Sequence, residues 1–197
     1  MAKTKAPLFG LGASGQLGKA IVFGSWKGIG TAREYVKPSN PDTTLQQTQR
    51  ARVTAAVTAF HAAAYSVADM TAWARLASIQ SSVMSGFNVF CKIFMDQSKS
   101  GNTWTAMHAC VISAIDALGW LSTITKVSGG LAPYLWIGSR PTFLTNTQIF
   151  VDATGNSWTC HYVGAAADTD YYMQVRVGVS AATYGCTGIY KIRTLAA

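Results

Sequence analysis

The sequence predicts an α+β chain in three consecutive parts: an extended, basic, glycine-rich arm over 1–40, a helical hairpin or small bundle over 41–122, and a β-sandwich over 123–197. Three observations carry this. Glycine recurs every few residues at the start, apolar residues then repeat at three- and four-residue steps, and from about Ile124 the repeat drops to two. A length of 197 residues gives room for one large domain or two small ones.

In the arm, Gly10, Gly12, Gly15, Gly18, Gly24, Gly28 and Gly30 are interleaved with apolar residues such as Leu17, Ile21, Phe23 and Trp26. Such a segment loses much backbone entropy when ordered and presents side chains at alternate positions. That suits an extended arm, or short strands that pair with something else, ordered mainly by contacts. Residues 37–43, with Pro38 and Pro41, read as a rigid turn, because each proline fixes its own φ and turns the residue before it away from helix.

A helix is expected next. Thr43 and Gln46 have capping-box spacing, and Leu45, Val53, Val57, Phe60 and Ala64 fall on one face. Ser66 with Asp69 offers a second cap, leading into Trp73, Leu76 and Ile79; Val83, Phe87, Phe90 and Phe94 continue the pattern, with Gly86 placed to bend the last helix and residues 97–102 to end it. Residues 104–121 are ambiguous: 106–118 fit one more helix, but the β-branched residues with Trp104 and Trp120 also fit a strand.

Beyond them, 148–151, 158–162, 171–179 and 190–193 alternate in the manner of half-buried strands. Breaks at 155–156, 165–169 and 181–185 have the spacing of sandwich turns, which points to an immunoglobulin-like or fibronectin-like domain and, by itself, to no activity.

Hydrophobic residues make up 49% of the chain and charged residues only 12%, so part of the surface is expected to be covered by a partner. The net charge of +8 is uneven: residues 1–52 hold eight cations and two anions (8 − 2 = +6), and the other 145 residues contribute 8 − 6 = +2. A basic arm on a near-neutral body can seek phosphates or an acidic protein surface. No segment has the apolar length of a membrane span, and the first residues lack the apolar core of a signal peptide.

Gly10-Leu-Gly-Ala-Ser-Gly15 matches a G-x-G-x-x-G string, but only a few residues precede it and more glycines crowd the segment after it, so the βαβ context of a dinucleotide site is missing. His61, His108 and His161 belong to no ligand spacing, and Cys91, Cys110, Cys160 and Cys186 form no C-x-x-C pair. The cysteines read as buried thiols, with Cys160 and Cys186 the one pair placed to meet across two strands. Asp168 and Asp170 fit a turn better than a calcium loop, and Trp73 and Trp158 fit a core. The reading is therefore a protein with no catalytic residues, no metal, no cofactor and no small-molecule substrate.

The run Gly18 to Thr43, with Trp26-Lys27-Gly28, Arg33, Pro38 and Asn40-Pro41-Asp42-Thr43, then Gln46, Gln49 and Arg50, resembles an N-terminal pattern of phage and prophage structural proteins and of a family of uncharacterised bacterial proteins. Ala72-Trp73 and 85–90 extend the likeness over roughly the first half of the chain. The resemblance implies a virion component of a tailed bacteriophage, in the head decoration, the head-to-tail connection or the tail, assembled in the bacterial cytoplasm. Its partners would be other virion proteins and copies of itself, met through Trp26, Lys27, Arg33, Pro38, Asn40, Pro41, Thr43 and Arg50. Two alternatives stay open: a nucleic-acid-binding protein using the basic arm, and a carbohydrate-binding module using an exposed tryptophan such as Trp136.

Overall fold

A computed structural model describes residues 2–3, 14–26, 29–37, 42–126, 132–154, 156–177 and 183–197. They fall into two units, Met1–Thr43 and Thr44–Ala197.

In the first unit the glycine-rich residues form an antiparallel sheet of β1 (Ala2–Lys3), β2 (Gly15–Leu17), β3 (Ile21–Trp26) and β4 (Ile29–Glu34), in the order β1-β4-β3-β2. Gly18 turns the chain between β2 and β3 with φ +58°, a left-handed conformation that glycine adopts without a Cβ penalty. Thr31 Oγ1 donates to the Gly24 carbonyl across the β3–β4 ladder at 3.1 Å. The described strands thus pair with one another, where an arm pairing with something else was expected. None of the described side chains of this unit is buried.

The second unit opens with three helices, α1 (Thr44–Ala62), α2 (Val67–Ser78) and α3 (Gly86–Lys99). Ala56 and Phe60 form the buried stripe of α1, with Ala63 buried just beyond its end, whereas Leu45 is 80% exposed and Val53 47%, so the face expected from Leu45 onward is corrected: only its later turns are covered. Ser66 caps α2 in a full capping box with Asp69, and Ser85 caps α3. Gly86 starts α3 and bends nothing. A Cβ there would lie 2.8 Å from the Ala74 nitrogen, so glycine lets α3 begin against the backbone of α2. Val83 lies in the connection and is fully exposed.

Helix ends at Lys99, and the ambiguous stretch is strand: β5 (Thr103–Trp104), β6 (Met107–Ser113) and β7 (Gly119–Lys126). The last part of the expected helical region therefore belongs to sheets. Its alternation was hidden by a bulge between His108 and Val111, where Ala109 takes φ +53°.

The remaining strands are β8 (Pro133–Gly138), β9 (Asn146–Ile149), β10 (Val151–Thr154), β11 (Ser157–Val163), β12 (Asp170–Val177), β13 (Thr183–Cys186) and β14 (Tyr190–Arg193). They build two sheets: β10-β11-β7-β6, and β5-β13-β12-β8-β9 with β14 also on β12. Trp120, Ile124, Trp158 and Tyr162 of the first sheet share one buried cluster with Leu135, Ile137, Met173 and Val175 of the second, which makes the pair a sandwich. A second cluster, around Trp73, Phe90, Cys186 and Ile189, seats the helices on the six-stranded sheet and its loops. The chain is thus α+β, with three helices against a two-sheet sandwich. Gly185, expected in a turn, lies inside β13, where a Cβ would meet the Thr105 carbonyl oxygen.

Candidate functional site

The residues expected to make assembly contacts are only partly described. Lys27, Pro38, Asn40 and Pro41 lie outside the described residues, and of Trp26 only the backbone is placed, at the end of β3 opposite Ile29. Arg33 is exposed on β4, directly across from Val22. Thr43 is exposed in the first unit and Arg50 is exposed on α1 in the second, so the set spans both units.

Around Arg33 the first unit has a recess of about 840 Å³, lined by Gly15, Gln16, Val22, Arg33, Glu34, Tyr35 and Val36. One cation, one anion, a phenol and two valines give it a mixed, nearly neutral lining. Leu17, Ile21, Ile29 and Val36 of the same unit are 40–72% exposed. Among the described side chains of this sheet that apolar surface is uncovered, whereas a sheet is normally stabilised by a second layer.

The second unit holds a buried polar junction that sequence reasoning only half found. Asp69, 1% exposed, serves as more than a capping residue. Its carboxylate accepts from Ser66 N (2.9 Å) and Ser66 Oγ (2.8 Å) at the helix start, from the Ala109 and Cys110 amides at the β6 bulge (2.9 and 3.3 Å), and from the Tyr190 hydroxyl on β14 (2.6 Å). One side chain thereby joins α2 to both sheets. Burial works to raise its pKa, but the hydrogen bonds from Tyr190, Ser66 and Ala109 outweigh it and hold the carboxyl below its ordinary value. Burial, together with the Asp69 charge, pushes the Cys110 thiol up to about 12 and Tyr190 well above the ordinary phenol range.

Near this junction the Ile189 amide donates to the Ala72 carbonyl at 3.0 Å and Arg75 Nη1 donates to the Ile189 carbonyl at 2.8 Å. Gly188 permits the approach, since a Cβ there would lie 2.2 Å from the Ala72 carbonyl carbon. The Ser66 cap was readable from spacing. The contacts with residues 40 and 121 positions away carry no local signal.

Other candidate groups are dispersed or already engaged. All four cysteines are buried and free, and Cys160 and Cys186 sit in different clusters, so the pairing considered for them is not made. Burial raises Cys160 to about 11 and Cys186 to about 12, which disfavours a thiolate nucleophile. Among the described residues no three of His, Cys, Asp and Glu converge on a point. Asp168 pairs with Arg193 at 2.9 Å and Asp170, which opens β12 and does not lie in the expected turn, with Lys191 at 2.7 Å, which gives both carboxylates a cation. The last glycine of the G-x-G-x-x-G string, Gly15, opens strand β2, and among the described residues no helix comes after it before α1. Trp73 and Trp158 are buried, as expected of core residues, while Trp136 is partly exposed with Arg176 stacked 4.9 Å from its ring centre. No described helix is long and apolar enough to cross a membrane.

No family model matches the chain, and no curated protein does. Among solved structures it is similar to a fibronectin type III domain derived from human KIAA0970 protein, at 14% identity over 59% of this chain and 88% of that one, with a TM-score of 0.31.

Proposed function

We propose that this chain is a non-catalytic structural protein that works through assembly contacts, its 44–197 unit a rigid body and its 1–43 sheet the part that joins neighbours. The virion of a tailed bacteriophage is the setting suggested by the resemblance of Trp26-Lys27-Gly28 and Asn40-Pro41-Asp42-Thr43 to phage structural proteins. The observation that carries the reading is the one-layer sheet: none of its described side chains is buried, and Leu17, Ile21, Ile29 and Val36 present apolar surface. A partner's surface would supply the missing layer.

For the sandwich we favour an immunoglobulin-like reading on its strand order. With β6, β7, β8, β10, β11, β12 and β14 taken as strands A to G in turn, and β9 as an added strand after C, the sheets run A-B-E-D and G-F-C. At the start of β12 the Tyr171 hydroxyl accepts from the Ala166 amide at 2.8 Å, in the manner of a tyrosine corner. Two residues on, Met173 lies 3.5 Å from the Ser122 hydroxyl of β7, at the place where antibody domains carry their inter-sheet disulfide.

Deleting residues 1–43 tests the proposal. The shortened chain should keep a cooperative thermal transition by circular dichroism yet fail to enter particles when it replaces the full chain in an infected or induced host. Incorporation at the full-length level would defeat the reading.

A further inference from the structure

The six-stranded sheet has a second face, turned away from the sandwich core. Leu135, Ile137, Met173 and Val175 point into that core, so Tyr134 and Trp136 on β8, and Gln174 and Arg176 on β12, point the other way. The helix cluster takes in Trp104, Tyr184 and Cys186 at the β5–β13 end of this face. The β8–β9 end stays open: Tyr134 is 39% exposed and Ile149, its partner on β9, 58%. Arg176 sits between the two ends, opposite Cys186 on β13 and Tyr134 on β8. Its guanidinium lies over the Trp136 ring, 4.9 Å from the centre, and its Nε donates to Gln174 Oε1 at 2.8 Å. Gln174, 3% exposed, is itself fixed by donating from Nε2 to the Thr187 carbonyl at 2.7 Å. The cations that β14 places on the same face are paired, Lys191 with Asp170 and Arg193 with Asp168. Arg176 has no such carboxylate, and among the described residues neither of its Nη groups has a hydrogen-bond partner.

We propose that this corner is a docking site for an acidic segment of another protein, in which Arg176 receives a carboxylate and the apolar neighbours of that carboxylate lie on Tyr134 and Ile149. Charge and geometry select the occupant. A guanidinium held at Nε presents Nη1 and Nη2 as a fork, and a fork matches the two oxygens of a carboxylate. One cation balances one carboxylate, whereas phosphorylated motifs are met by clusters of arginine. A neutral sugar needs a bare aromatic face, and Arg176 already covers one face of Trp136. The net charge of +8 opposes a second copy and favours an acidic partner. Tryptophan, tyrosine and arginine are also the residue types that dominate binding energy at protein interfaces, and here they adjoin: Tyr134 is directly across from Arg176, and Trp136 from Gln174. The buried Gln174 fixes the arginine before any partner arrives, which lowers the ordering cost of binding. The proposal rests on the 44–197 unit alone, so it stands or falls separately from the joining role of 1–43.

The test is a titration of the isotope-labelled full chain, followed by two-dimensional NMR, with acetyl-Leu-Glu-Leu-amide and its neutral twin acetyl-Leu-Gln-Leu-amide as probes. The glutamate peptide should shift the Arg176 Nε–H and Trp136 indole signals and saturate in the millimolar range, with the glutamine peptide about tenfold weaker. Arg176→Gln should reduce the glutamate peptide to the level of its twin. The comparison of the two peptides on the wild type needs no variant, so it decides the matter even where the substitution disturbs folding. Absence of those shifts overturns the proposal, as does equal binding of the two peptides or full binding by the folded Arg176→Gln chain. Tighter binding of inorganic phosphate or of cellotetraose at the same signals overturns it in favour of a phosphate or a sugar site.

Discussion

The two units make the same backbone structure, antiparallel sheet, under opposite conditions of burial. In 44–197 the strands enclose Trp120, Ile124, Leu135 and Met173 at 0% exposure, and aromatic rings such as Trp120 and Tyr162 pack at 4.6 Å. In 1–43 the ladder from Ile21↔Glu34 to Trp26↔Ile29 is complete, yet no described side chain is buried. Backbone hydrogen bonds contribute little net free energy when water is the competing partner, whereas buried apolar area contributes about 25 cal/mol per Å². The contrast teaches that pairing alone draws a sheet and burial holds it. The described side chains of the first unit have the former without the latter.

The strongest way to break this contrast is to damage the junction that ties the second unit together. Asp69→Ala leaves the Ser66, Ala109, Cys110 and Tyr190 donors without their acceptor, and should lower the unfolding free energy of 44–197 by about 3–5 kcal/mol, read from urea denaturation. The acid response carries the same signature. The folded carboxyl titrates below its ordinary value of 3.8, so its stabilisation is full above that pH and is lost as pH falls through the lower folded value. Wild type should therefore lose stability progressively below about pH 4, and Asp69→Asn should flatten that slope.

A smaller loss is expected at Gly188→Ala. The added methyl would run into the Ala72 backbone and lift α2 from the sheet, costing about 2–4 kcal/mol in the same assay. At the low end, Leu45→Ser should shift stability by no more than about 0.5 kcal/mol, because Leu45 stands 80% exposed; a large loss there would show α1 packed along its whole length.

Legibility in the sequence tracks the range of the interactions. Local signals were read well. The Ser66 cap, the end of α3 at Lys99, and the alternation of Tyr190 and Ile192 against Lys191 and Arg193 all depend on neighbours within a few residues. Non-local effects misled or left no trace. The Ala109 bulge interrupted the period of β6, and Phe150, where the chain passes from β9 in one sheet to β10 in the other, looked like the middle of one strand. Gly86 and Gly185 resembled a kink and a turn, but each is set by a close backbone approach from a distant element. In the candidate site Arg33 was expected only as an assembly contact, and the mutual pairing of β2, β3 and β4 was hidden because a glycine-rich segment specifies its register only weakly.

The most direct measurement is backbone hydrogen exchange on the full chain, free and then assembled. In the free protein the amides of β3 and β4 should exchange with little protection while those of β7 and β12 stay slow, and assembly should protect β3 and β4 selectively. Slow exchange in β3 and β4 of the free monomer, equal to that of β7 and unchanged on assembly, would contradict the account.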